Sequence, residues 1–262
     1  MSIPIYQVDA FTSELFSGNP AAVCILDEWP DDALLQAIAA ENNLSETAFL
    51  VKRDQRFEIR WFTPVTEVAL CGHATLASSF VIFNCLQWTG DLVSFHSFKS
   101  GELRVTRNGD LLSMDFPARY PTRCDIPDLL PEALNHRPVE VLDTAEDLLA
   151  VLEDERAVRA LKPNLSLLMQ IEQRRGIIVS APGELCDFVS RFFAPHVGIP
   201  EDPVTGSAHC VLAPYWARKL GKKQLRARQL SRRGGELLCE DRGDRVIISG
   251  KAALYLEGTI TV

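Results

Sequence analysis

The 262-residue sequence contains no Cys-x-x-Cys pair, no His-Glu-x-x-His helix, no Gly-x-Gly-x-x-Gly turn and no Walker loop. The first two absences argue against a zinc site, and the last two against a nucleotide-binding oxidoreductase. No apolar run approaches the ~18 residues of a membrane span, and "MSIPIYQVDAF" lacks the basic and apolar regions of a secretory signal. A cytoplasmic protein without a membrane partner is therefore expected. Basic residues are also in short supply: 27 Lys and Arg stand against 35 Asp and Glu, for a net charge of -8. Phosphate backbones are bound by clustered cations, so nucleic acid is not an expected partner. The one basic stretch, Arg226 to Arg233, alternates in strand fashion before Gly234-Gly235 and reads as the solvated face of a hairpin rather than a phosphate site. Seven cysteines, scattered and odd in number, make no disulfide framework and are expected to be small buried hydrophobes.

What is present is the composition of a globular protein, 47% hydrophobic and 24% charged, with no Gln-, Ser- or Pro-rich tract. The length favours two domains over one. Hydrophobic patterning predicts strands over 3–11, 21–26, 47–51 and 57–62, with a helix over 31–41. The segment 74–86 is apolar almost all round, which implies a helix enclosed on every side. Strands over 92–98, 102–107 and 111–116 follow, with Asn108-Gly109 as a hairpin turn. From Pro117 the stretch "PARYPTRCDIPDLLPEAL" carries four prolines and marks a crossing between domains. Beyond it the pattern predicts helices over 145–152, 155–161, 186–193 and 207–220. Strands are predicted over 165–172, 176–180, 225–230, 236–240, 245–249 and 253–261. The expected organisation is a first lobe over 1–117 completed by the strand 252–262, and a second lobe over 118–251.

Two stretches match each other. Glu67-Val-Ala-Leu-Cys-Gly72-His73-Ala74 and Glu201-Asp-Pro-Val-Thr-Gly206-Ser207-Ala208 share Glu-x4-Gly-[His/Ser]-Ala, and each opens an apolar helix about half the chain from the other. This pattern suggests a duplicated domain. A helix N-terminus carries unpaired N–H groups and positive partial charge, so it can hold a carboxylate or developing enolate without a cationic side chain. Two such termini would converge on a small anionic metabolite bound between pseudo-twofold-related lobes. The alternative is that Gly72 and Gly206 are tight turns into core helices, with His73 and Ser207 as caps.

In "NLSETAFLV", Glu46 follows a polar turn and directly precedes an apolar strand. Partial desolvation there would fit its carboxyl to accept and return a proton. The alternative is an exposed turn residue. Asp202 precedes Pro203, which holds it extended, although Asp is also common in ordinary turns.

With these residues in view, the sequence resembles the PhzF-like (phenazine biosynthesis-like) isomerase family, of the diaminopimelate-epimerase fold. The resemblance rests on "VDAFTSELFSGNPAAVC", "NLSETAFL", "LCGHATLAS" and "GIPEDPVTGSAH", in the family order, and covers nearly the whole chain. It implies an α+β fold of two similar domains, each a curved, mostly antiparallel sheet rolled round a central helix. It also implies a site between them and a homodimer. The family's proton-moving glutamate falls on Glu46, with His73, Asp202 and Ser207 assisting. Substrate contacts fall on Gly18, Asn19, Gly72 and Gly206. No metal or other cofactor is implied.

The related epimerases use two cysteines, one at each helix start. Cys71 stands before Gly72, but its counterpart region reads Val204-Thr205-Gly206, and Cys210 should be buried a turn into its helix. A two-thiol racemase is disfavoured, and a packing role for Cys71 is favoured over a catalytic one. The expected activity is a cofactor-independent isomerisation of a small cyclic or amino-acid-like carboxylate. An epimerase using Cys71 and a non-catalytic metabolite-binding protein are the alternatives.

Overall fold

In the computed structural model, which describes residues 2–144, 146–171 and 174–262, the chain divides into two units, Met1–Asp115 with Ser249–Val262, and Phe116–Ile248. The first unit runs β1 (Ser2–Ala10), β2 (Asn19–Leu26), α1 (Asp32–Asn42), β3 (Glu46–Arg53), β4 (Arg56–Phe62), β5 (Glu67–Val68), α2 (Gly72–Asn84), β6 (Leu92–Ser97), β7 (Gly101–Asn108) and β8 (Leu111–Pro117). Strand β2 lies between β1, antiparallel, and β3, parallel. Helix α2 packs on this strand, and its Ala22, Cys24 and Leu26 join α1 in one cluster, so both faces are covered and its apolar sequence has no need of alternation. Helix α1 lays Leu35 and Ile38 onto Phe49, Val51 and Phe62.

Helix α2 is enclosed as its sequence predicts: His73 to Ser79 and Val81 to Phe83 are all buried. Burying three hydroxyls in one helix is tolerable only if each is satisfied. Thr75 donates to Cys71 O, Ser78 to Ala74 O and Ser79 to Thr75 O, so the helix absorbs its own polar groups. The helix packs against β1, β2 and β3.

The second unit runs β9 (Thr122–Arg123), α3 (Leu130–Leu134), β10 (Glu140–Asp143), β11 (Asp147–Val151), α4 (Glu155–Ala160), α5 (Leu165–Leu168), β12 (Gly176–Pro182), β13 (Phe188–Ala194), a 3-10 turn (Pro195–Val197), β14 (Ile199–Asp202), α6 (Gly206–Leu220), β15 (Gln224–Gln229), β16 (Gly235–Asp241) and β17 (Arg245–Gly250). The chain then returns to the first unit as β18 (Ala252–Thr261), antiparallel to β1. Pairing within the two units follows one scheme. In the first, β1/β2 is antiparallel, β2/β3 parallel, β3/β4 and β4/β5 antiparallel, β4/β6 parallel and β6/β7 antiparallel. In the second, β10/β11, β11/β12, β12/β13, β13/β14, β13/β15 and β15/β16 repeat that series in the same senses. A buried helix, α2 or α6, is inserted at the same point of each.

Three expected elements differ. The helix predicted over 145–152 is the buried strand β11, and Ala145 lies outside the described residues. The helix predicted over 186–193 is strand β13. Both are short apolar runs buried on two faces, where helical and extended periodicity cannot be told apart. The strand predicted over 165–172 opens instead as α5, which Asn164 caps by accepting from Ser166 N and Leu167 N; Glu172 lies outside the described residues. Among the described residues, no helix is long and apolar enough to cross a membrane.

Candidate active site

The first unit brings three polar side chains together in its core. Asn19 opens β2, Glu46 opens β3 beside it in the parallel register that pairs Ala21 with Glu46, and His73 sits in the first turn of α2. His73 Nε2 lies 3.0 Å from Glu46 Oε2, and both side chains are buried. The contact is close without being an aligned hydrogen bond, so among the described residues Glu46 Oε2 has no hydrogen-bond donor of its own. Glu46 is therefore not the exposed turn residue of the alternative reading.

On the other side of the ring, Asn19 Nδ2 stands 3.2 Å from His73 Nδ1. An amide donor there needs a lone pair on Nδ1, which puts the proton of the neutral ring on Nε2, towards Glu46. An imidazolium has no lone pair, and the Asn19 amide can meet it by turning its Oδ1 to the ring. Burial pushes the His73 pKa down, but Cys71 and Glu46 beside it push harder the other way, and the result lies well above the usual histidine range. We attribute that direction to the Glu46 carboxylate, because the Cys71 thiol is itself pushed up to about 11, first by burial and then by Glu46. At neutral pH Cys71 is a neutral thiol, with Sγ 3.5 Å from His73 Nδ1.

Neither long buried helix is capped by a side chain. The N-cap residues are Cys71 and Thr205, both extended and neither bonding a first-turn amide. His73 and Ser207 lie inside the helices and do not cap them. The positive end of each helix dipole thus has no capping side chain over it and can face an anion. Gly18, at φ +66, makes the turn into β2; an added Cβ would collide with the Ala10 carbonyl oxygen.

In the second unit the structure brings Asp202, Gly206 and Ser207 together around a wired turn. Thr205 donates Oγ1–H to Asp202 Oδ2 at 2.5 Å. Gln229, buried in β15, accepts from Thr205 N and donates to Asp202 O and Thr205 Oγ1. Ser207 Oγ accepts from Arg175 Nη2 at 3.1 Å, and Arg175 is itself gripped by the fully buried Asp147. Gln229, Arg175 and Asp147 escape the sequence reading because no local motif links them to "EDPVTGS"; strand pairing alone makes them neighbours.

Among the described residues, Glu46, Cys71 and His73 form one group whose ligand atoms all lie within 4.8 Å of one another. Thiol, imidazole and carboxylate are donors that a zinc ion accepts, although the thiol would first have to ionise.

A family model described as "Phenazine biosynthesis-like protein" matches residues 8–258. A Pseudomonas aeruginosa protein named as an uncharacterized isomerase is 55% identical over 260 residues, 99% of each chain. The crystal structure of a phenazine biosynthesis protein of the PhzF family from Enterococcus faecalis superposes with a TM-score of 0.97 at 46% identity, covering 100% of both chains. A hydroxyproline epimerase from Agrobacterium vitis, covering 99% of this chain and 92% of its own, shares the fold at a TM-score of 0.62 and only 11% identity.

Proposed function

This chain belongs to the PhzF, phenazine biosynthesis-like, family of isomerases, and from that premise we propose that it moves one proton between two carbons of a small carboxylate-bearing metabolite without a cofactor. The observation that carries this reading is the buried Glu46 carboxylate, with one oxygen unbonded and His73 Nε2 at 3.0 Å. Glu46 takes a proton from a carbon made acidic by conjugation to the substrate carboxylate. The electron pair left behind spreads into that conjugated system as an enolate. Glu46, whose proton exchanges in part with water while it is held, then delivers a proton to a carbon further along, so the reaction has no net proton change and part of the product carries solvent hydrogen. His73 keeps Glu46 oriented and balances its charge. Amides of the helix starts at Gly72 and Gly206, and of the Gly18-Asn19 turn, receive the substrate's negative charge. Asp202 and Ser207 act on the same substrate molecule, Ser207 as a hydrogen-bond donor. The active form is a homodimer.

The test is Glu46→Gln, which keeps shape and removes the base. Incubated in heavy water with a pool of small carboxylates, the wild-type protein should place deuterium on a carbon of one of them, as read by mass spectrometry. The variant should fold normally and lose at least a thousandfold in that incorporation, a size typical of an essential acid-base group. Undiminished incorporation in the variant removes Glu46 from the reaction, and no incorporation by the wild type leaves a binding protein. The Cys71 epimerase is the second reading, favoured only by the 3.5 Å contact between Cys71 Sγ and His73. It requires Cys71→Ser to be as inactive as Glu46→Gln.

A further inference from the structure

We propose that Arg175 is a positioning residue that makes Ser207 Oγ a one-way hydrogen-bond donor. This rests on the isomerase reading given above and extends it to a residue outside the motifs. A guanidinium carries only donors, so at 3.1 Å the Ser207 oxygen must accept from Nη2, and the hydroxyl hydrogen must point elsewhere. Helical hydroxyls usually spend that hydrogen on a carbonyl one turn back, as Thr75, Ser78 and Ser79 do in α2. Ser207 sits in the first turn of α6, where the carbonyl four residues back is that of Pro203, outside the helix and already bonded by Ser231 Oγ. Among the described residues Ser207 Oγ donates to no carbonyl, which leaves its hydrogen for a ligand.

Arg175 is held from three sides. Its Nε and Nη2 fork onto Asp147 at 3.0 and 2.5 Å, a bidentate geometry that fixes the guanidinium plane. Asp147 reaches it because parallel β11 and β12 pair Asp147 with Gly176, the residue after Arg175. The Phe192 ring lies under the guanidinium, 5.4 Å from Cζ. That ring fits there because residue 176 is glycine; a Cβ would come within 2.6 Å of Phe192 Cζ. Glu146 stands 3.6 Å from Nη1 and is itself bonded by Arg119. Arg175 and Arg119 face Asp147 and Glu146, and Asp202 also acts on Arg175, so the positive charge of the array is fully neutralised. It does not attract an anion; it directs one hydrogen.

That neutrality separates a positioning role from plain anion binding. Arg175→Lys keeps the charge beside Asp147 and loses the fork, while Arg175→Ala removes both. The assay is deuterium uptake in heavy water from a water-soluble metabolite extract, followed by mass spectrometry for wild type, Arg175→Lys, Arg175→Ala, Ser207→Ala and the Arg175→Ala/Ser207→Ala double variant. We expect each single variant to fall roughly tenfold to a hundredfold, the worth of one well-placed hydrogen bond. The double variant should fall no further than Ser207→Ala. Multiplying losses, or a Lys variant as active as wild type, overturn the proposal. Arg175→Ala leaves a buried carboxylate unpaired and can unfold, so neutron diffraction on the deuterated wild-type protein gives a second measurement. The Ser207 deuterium should point away from Arg175 and away from every protein carbonyl; a deuterium aimed at a protein acceptor sinks the idea. If the wild type takes up no label, the isomerase reading fails, while the neutron result still decides the orientation of the hydroxyl.

Discussion

His209 is buried in α6, donates Nδ1–H to Thr205 O at 2.8 Å, and leaves Nε2 with no partner among the described residues. Burial pushes its pKa from 6.5 to about 4, against a smaller upward pull from the Thr205 carbonyl. Because the folded ring stays neutral where the unfolded one takes a proton, this histidine costs stability as pH falls from 6.5 towards 4 and adds no further loss below. The whole window amounts to about 3 kcal/mol. His209→Asn keeps a donor for Thr205 O without titrating, so urea unfolding at pH 7.5 and 4.5 should show a smaller difference in the variant. An equal difference in both proteins refutes the assignment. The Cys71 thiol, at about 11, should react with iodoacetamide very slowly at pH 7 and faster with each unit above 8; peptide mass spectrometry reads the rate. Glu46, His73, Asp202 and Ser207 stand out as candidates in the sequence because each lies in a contiguous motif. Asp147, Arg175 and Gln229 could not, since each finds its partner only after distant strands have paired.

At the scale of elements, legibility followed period and length. The enclosed helix α2 and the β7–β8 hairpin with Gly109 at φ +60 were plain in the sequence, because an all-round apolar stretch and an Asn-Gly pair admit few structures. Strands β11 and β13 were misread as helices, their burial on both faces having erased the alternation that marks a strand. Turns offer a cleaner test. Gly18 and Gly221 share nearly the same left-handed φ, but a Cβ at Gly18 meets Ala10 O and Thr12 Cγ2, while one at Gly221 meets open space. We expect Gly221→Ala to cost about 1 kcal/mol from backbone strain alone and Gly18→Ala several kcal/mol, measured by chemical unfolding. Gly18→Ala should also lower turnover in protein that remains folded, because the turn sets Asn19 against His73. Equal losses at the two sites would mean that the Gly18 turn yields easily.

For the whole molecule, the repeated pairing scheme is the main fact. The sequence hinted at it through Glu-x4-Gly-[His/Ser]-Ala, and the strand senses of the two units now repeat it step for step. One strand departs from chain order: β18, the counterpart of β9 beside β10, crosses back to lie along β1. Removing residues 249–262 should leave β1 with β2 alone. Limited trypsin digestion of that truncated protein should then cut the first unit quickly and spare a fragment near 116–248. Digestion of both units at one rate would show that they unfold as one.

That crossing also orders events in time. On a translating ribosome, Phe116–Ile248 emerges as one uninterrupted piece, whereas the unit bearing Glu46 and His73 waits for a strand made after its neighbour is finished. A nascent chain halted anywhere before residue 249 would therefore leave the edge of β1 bare until that late strand has docked.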